Sequence, residues 1–131
     1  MSTRSVALVL YAVVLVLCGT SLLIAPAETT ALIGPAESTT PTLFVQLFGA
    51  ALIGFAASNW IVRHAPMGGI YGRAVVFANQ VFAVVGVLTL LGNLPMQPGM
   101  GFWGLLGVLA GGALLHGMLL FLAAPASKST G

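Results

Sequence analysis

The chain has 131 residues, of which 59% are hydrophobic and 5% charged, with four Lys or Arg against two acids. A soluble domain carries about 25% charged residues, so this composition excludes a water-dispersed globule, and a mean hydropathy of +1.10 places the chain in a bilayer. The formal charge of +2 rests on too few groups to argue for nucleic acid, and no basic patch interleaves with aromatics.

The first apolar run, Val6 to Ala25, follows Arg4 and stops at Pro26. Ala25-Pro26-Ala27 resembles a small-residue cleavage site, but the run exceeds the roughly 7–15 residues of a signal-peptide core, and an uncleaved helix is expected. Cys18 sits inside the run and reads as a small hydrophobe. The following connection holds both acids, Glu28 and Glu37, in two similar stretches, Pro26-Ala-Glu-Thr-Thr and Pro35-Ala-Glu-Ser-Thr. Pro and Thr favour short helix starts and turns, which predicts one interfacial turn of helix from Ala27 to Ile33, stopped by Gly34.

The second run, Leu43 to Val62, closes at Arg63-His64. A loop with Pro66, Gly68, Gly69 and Gly72 leads to Arg73, and the third run, Ile70 to Leu91, ends at Gly92-Asn93 and Pro95. The fourth run, Gly101 to Ala124, ends at Pro125, with Lys128 beyond it. Each run reaches the roughly 20 residues that cross about 30 Å of hydrocarbon as a helix. Lipid offers backbone groups no hydrogen bonds, so continuous apolar runs of this length must be helical. The expected fold is an all-α integral membrane protein of one domain, an antiparallel four-transmembrane-helix bundle. Its spans are expected at about 5–25, 42–64, 69–92 and 100–124.

Orientation follows from charge. Threading four spans places Arg4, Arg63, Arg73 and Lys128 on one face and both acids on the other. The positive-inside bias makes the basic face cytoplasmic, with both termini inside and a bacterial-type inner membrane as the expected location. Anionic lipid headgroups at Arg63 and Arg73 are the expected phosphate partners.

Small residues at four-residue spacing let helix backbones approach in lipid, where no hydrophobic effect drives them together. Gly104, Gly107 and Gly111 on the fourth span, and Ala50, Gly54 and Ser58 on the second, are the expected packing stripes. They serve either the chain's own bundle or a homo-oligomer or membrane-protein partner.

Polar residues are the informative exceptions in apolar spans. At 1.5 Å per residue, Tyr11 lies about 9 Å, Asn59 roughly 7 Å, Asn79 and Gln80 about 13 Å and His116 about 12 Å from the basic face. Arg63 is one turn below Asn59 on the same side of its helix. Tyr11, Asn59, Arg63, Asn79, Gln80 and His116 are therefore expected either to line a polar pocket open to the cytoplasm or to satisfy one another and fix helix register. His116 and Asn79, at similar depth, are the expected hydrogen-bonded pair.

Known site chemistries fit poorly. The chain has two histidines, one cysteine and no Asp, so neither a three-ligand metal site nor a Ser-His-Asp triad is expected. Both acids lie in one loop, leaving no carboxylate pair inside the bilayer. No cofactor and no catalytic residue is expected. The size and span count resemble small multidrug transporters, but the membrane-embedded Glu of their first helix has no counterpart here. The expected function is non-enzymatic, acting by helix packing as a homo-oligomer or accessory subunit. The alternative is binding or transport of a small lipophilic or anionic molecule through the polar pocket.

Overall fold

A chain that cannot leave backbone groups unpaired in lipid must start and stop its helices at capping residues or at water. The computed structural model describes residues 2–33, 42–65 and 70–122. These form α1 (Thr3–Ile24), α2 (Pro26–Ile33), α3 (Thr42–Val62), α4 (Ile70–Gly92) and α5 (Met100–Leu122). No strand occurs among the described residues. All but α2 are long and apolar enough to cross a membrane, and the protein is an all-α, multi-pass integral membrane protein.

The boundaries follow local chemistry. Ser2 accepts a hydrogen bond from the Ser5 amide and caps α1, so this span starts earlier than the apolar pattern alone indicates. Pro26 has no N–H to continue α1, and it opens α2 with its fixed φ. Thr29 Oγ1 donates back to Ala25 O at 2.7 Å, bracing the break. Glu28 lies in the first turn of α2, where a negative charge suits the helix dipole. Thus the stretch read as one interfacial turn is a two-turn helix; Gly34 and the second Pro-Ala-Glu stretch lie outside the described residues. The second span ends at Val62, because Arg63 and His64 enter a turn closed by Ala65 N–H on Val62 O at 2.9 Å. Asn93 caps α4 with both its backbone N–H and its side-chain amide on Thr89 O.

Packing divides the bundle into two close pairs. The largest shared surfaces join α1 to α3 and α4 to α5; α3 also meets α4, and α1 meets α5 more lightly. The backbones of α3 and α5 do not approach each other, which sets them on a diagonal.

The α1/α3 seam is close and largely apolar. Along α1 the buried residues are Ser5, Leu8, Ala12, Leu15, Gly19 and Leu22, the alternating three- and four-residue steps of a left-handed helix pair. They face Gly49, Leu52, Ala56, Asn59 and Val62 of α3. Gly19 and Gly49 meet backbone to backbone. A Cβ on Gly19 would sit 2.6 Å from Gly49 O, and one on Gly49 would sit 2.7 Å from Gly19 O. Neither position has room for a methyl group. This contact supplies the close approach that lipid-embedded helices need.

The seam between the pairs is different. Phe82 of α4 stacks on Phe55 of α3 at 4.3 Å between ring centroids, with Phe48 at 6.2 Å. Below this aromatic cluster the four long helices converge on polar side chains.

The small-residue stripes expected to pack helices do not face the chain's own helices. A Cβ on Gly54, Gly104, Gly107 or Gly111 would meet nothing within 4 Å, and Ala50 is exposed. Ser58 turns its hydroxyl back onto Gly54 O at 2.9 Å.

Candidate functional site

The polar cluster begins with helix register. Asn59 is on the inward line of α3 that includes Leu52 and Ala56, Asn79 is between Val76 and Ala83 on α4, and His116 is one turn past Gly112 on α5. In each case the apolar pattern that buries its neighbours carries the polar residue inward. Asn59 and His116 are 0% exposed and Asn79 is 2% exposed.

Buried polar groups must find partners or cost free energy. The Asn59 amide donates to Phe55 O at 2.9 Å and to Asn79 Oδ1 at 2.7 Å. Asn79 donates in turn to Val75 O at 2.9 Å. His116 places Nδ1 2.7 Å from Gly112 O, an oxygen that can only accept. Its Nε2 lies 3.0 Å from Asn59 Oδ1. The result is a continuous chain from Gly112 through His116, Asn59 and Asn79 to Val75, crossing three helices. Asn59, and not Asn79, is the direct partner of His116, and it bridges the two.

Tyr11 of α1 completes the surround. Its ring packs on His116 in a T-shaped arrangement with centroids 5.1 Å apart. Its hydroxyl end occupies the space that a Cβ on Gly112 would need, so Gly112 acts as the seat for Tyr11. Gln80, half-buried on α4, lies beside Gly117 of α5, 3.6 Å from where its Cβ would be. Gln80 Oε1 is buried and has no hydrogen-bond partner.

Arg63 stands apart from this cluster. Its guanidinium lies 4.2 Å over the Trp60 ring and Nη1 donates to Trp60 O. Arg63 thus closes the C-terminus of its own helix, where a cation suits the free carbonyls, and pairs with an aromatic face. Arg73 is exposed on the first turn of α4. Pro66, Gly68, Gly69 and Lys128 lie outside the described residues.

A second polar group joins α1 to the end of α3. Arg4 Nη2 donates to Ala65 O. Ser5 Oγ donates to Arg63 O at 2.6 Å. With that hydrogen used, the His64 Nδ1–H donates to Ser5 Oγ at 3.1 Å. Arg4 is therefore more than an orientation signal, because it satisfies a carbonyl at the end of α3 that the helix leaves free. The sequence offered one usable sign of this contact: antiparallel neighbours bring Arg4-Ser5 and Arg63-His64 to the same membrane surface.

Chemically, the central cluster offers two amides, one imidazole and one phenol. The amides orient and transmit hydrogen bonds but do not titrate; of the four side chains, only the imidazole exchanges a proton readily near neutral pH. The comparisons with known proteins add no further constraint: no protein-family model, no curated protein and no solved structure matches the chain.

Proposed function

We propose that this protein is a small non-enzymatic inner-membrane protein, with both termini cytoplasmic, that works by helix packing as a homo-oligomer or as an accessory subunit of a membrane complex. The observation that carries this reading is the outward face of α5. Met100, Gly104, Gly107, Gly111, Leu114, Met118 and Phe121 are all exposed, spaced alternately by four and three residues. That is the period of a helix seam, repeated on the side of α5 turned away from its own bundle. Its glycines leave a backbone groove, and Ala113, Leu114, Gly117, Met118 and Phe121 line an apolar hollow of about 380 Å³. Another helix can approach this face as closely as Gly19 approaches Gly49.

The test is self-association in bilayers, followed by single-molecule photobleaching of labelled protein in vesicles. The paired substitutions Gly107→Leu and Gly111→Leu should lower the associated fraction several-fold, since leucine side chains bar the close backbone approach that small residues allow in lipid, while the fold within the chain stays intact. A monomer in the unsubstituted protein, with no co-purifying membrane protein, refutes the reading.

A second reading, binding of a small lipophilic or anionic molecule at the polar cluster, draws support from one observation: the buried Gln80 Oε1 has an unused acceptor. It predicts that His116→Ala and Asn59→Ala abolish retention of a co-purifying small molecule in native mass spectrometry. Anionic headgroups remain the proposed partners of Arg63 and Arg73 at the basic end.

A further inference from the structure

The hydrogen-bond chain at the centre of the bundle does not balance with a neutral histidine. His116 sets each ring nitrogen against a carbonyl oxygen, Nδ1 against Gly112 O and Nε2 against Asn59 Oδ1. A neutral imidazole has one N–H and one lone pair. Whichever nitrogen holds the hydrogen, the other presents a lone pair to an oxygen lone pair, buried where no water relieves the repulsion.

Turning the amides over does not remove the conflict. Rotating Asn59 gives Nε2 a donor but sets the amide oxygen against Phe55 O, 2.9 Å away in the present arrangement. Asn79 would then have to rotate to restore its bond to Asn59, setting its own oxygen against Val75 O at 2.9 Å. One acceptor–acceptor contact is exchanged for two. A single added proton resolves all of them, because an imidazolium donates from both nitrogens.

We propose that His116 is a proton-binding site, and that the bound proton, bridging Nε2 to Asn59 Oδ1, closes the seam between the α1/α3 and α4/α5 pairs. The balance is simple. The imidazole lone pair at Nε2 accepts a proton from water at the membrane surface, the N–H formed donates to Asn59, and release returns the proton to water.

The groups facing His116 suit the charged ring. From α1 comes the uncharged Tyr11 ring, T-shaped to the imidazole with centroids 5.1 Å apart. From α3 comes the Asn59 carbonyl oxygen; behind it on α4 stand the uncharged amides of Asn79, bonded to Asn59, and Gln80, beside Gly117. Tyr11 is the one titratable group among them. Arg63, the nearest cation along α3, turns its guanidinium onto Trp60 and is not among the groups that touch the ring. The position of the bond also matters. The α3 and α5 backbones do not approach each other, so the His116–Asn59 bridge joins helices that share little else. The closed seam holds one proton more than an open one. Closure is therefore favoured at low pH and lost as pH rises through the titration of His116. The inference stands independently of the assembly proposed for the outer face of α5.

The experiment is nitrogen NMR of histidine-labelled protein in lipid nanodiscs, carrying His64→Gln so that His116 is the one histidine observed. Spin labels on the exposed positions Ile61 of α3 and Phe77 of α4 report the distance across the seam between the two helix pairs. The expected result is an imidazolium signature that titrates to a single N–H between about pH 4 and about pH 9, with the label distance increasing over the same range. Asn59→Leu, which removes the acceptor, should lower the midpoint by about one pH unit, a tenfold loss in proton affinity. If Asn59→Leu does not fold, Asn59→Asp, which adds a negative charge beside the ring, must raise the midpoint instead. A ring with one N–H at every pH, or a midpoint unmoved by these substitutions, overturns the site. A label distance that stays constant through the titration overturns its link to the seam.

Discussion

The two seams of this bundle solve the same problem by opposite means. Between α1 and α3 the helices meet through shape: Gly19 and Gly49 bring the backbones together, and Leu8, Leu15, Leu22 and Leu52 fill the space around them. Between the α1/α3 and α4/α5 pairs the helices stand farther apart. They are joined by stacked phenylalanines and by hydrogen bonds among Asn59, Asn79 and His116. Dispersion forces need close approach and tolerate small rotations. Hydrogen bonds reach across a wider gap but demand one alignment. The first seam therefore draws on packing along its length and keeps its hydrogen bonds to its ends, whereas the second sets register through a buried polar line.

Substitutions can break or sharpen this contrast, and the largest effect is expected at the close seam. Gly49→Val places a branched side chain against Gly19 O. It should cost about 3 kcal/mol or prevent folding, because overpacking backbone against backbone leaves nothing free to move. Steric-trap unfolding in bicelles measures this directly. If Gly49→Val is tolerated within experimental error, the two seams do not differ as described. An intermediate effect is expected at the polar seam. Asn79→Leu removes a donor and an acceptor and leaves Asn59 with one unused amide hydrogen, a loss of roughly 1–2 kcal/mol. The same unfolding assay should show it, together with broadened resonances for α4 and α5 and little change for α1. The smallest effect is expected away from both seams. Gly54→Ala faces open space and replaces the poorer helix former, so the isolated chain should gain up to about 1 kcal/mol. A large loss there would mean that α3 has a partner on its outer side even in the monomeric preparation.

How much of this was legible in the sequence differs from feature to feature. The spans were, because continuous apolar runs closed by Pro26, Arg63-His64 and Pro95 leave lipid-buried backbone no alternative to helix. The members of the central cluster were legible as exceptions in apolar surroundings. Depth along each helix placed Asn79 and His116 at one level but carried no information on azimuth. That is why the bridging position of Asn59 emerged only from the structure. Arg63 was at the right height, yet its side chain folds back on Trp60. The glycines show the same limit more sharply. The repeated Gly104, Gly107 and Gly111 drew notice by number and turn outward. The isolated Gly19 and Gly49 bring two spans together backbone to backbone, a meeting of residues 30 apart in sequence (49 − 19) that no spacing within one helix signals.

The junction of α2 with the start of α5 has a consequence for how the protein is made. Gly99 N–H donates to Ile33 O at 3.0 Å, and the ideal Cβ positions of Gly99 and Gly101 fall on the Leu32 backbone. The last carbonyl of the short helix thus waits for a donor synthesised after three spans have already been inserted. His116, the partner of Asn59, arrives later still. A nascent chain that has released α4 but not α5 presents both Ile33 O and Asn59 Oδ1 without their final partners, one at the end of the short helix and one inside the bundle. The fourth span therefore completes the fold in a literal sense: until it enters, these two acceptors lack the partners that the finished chain gives them.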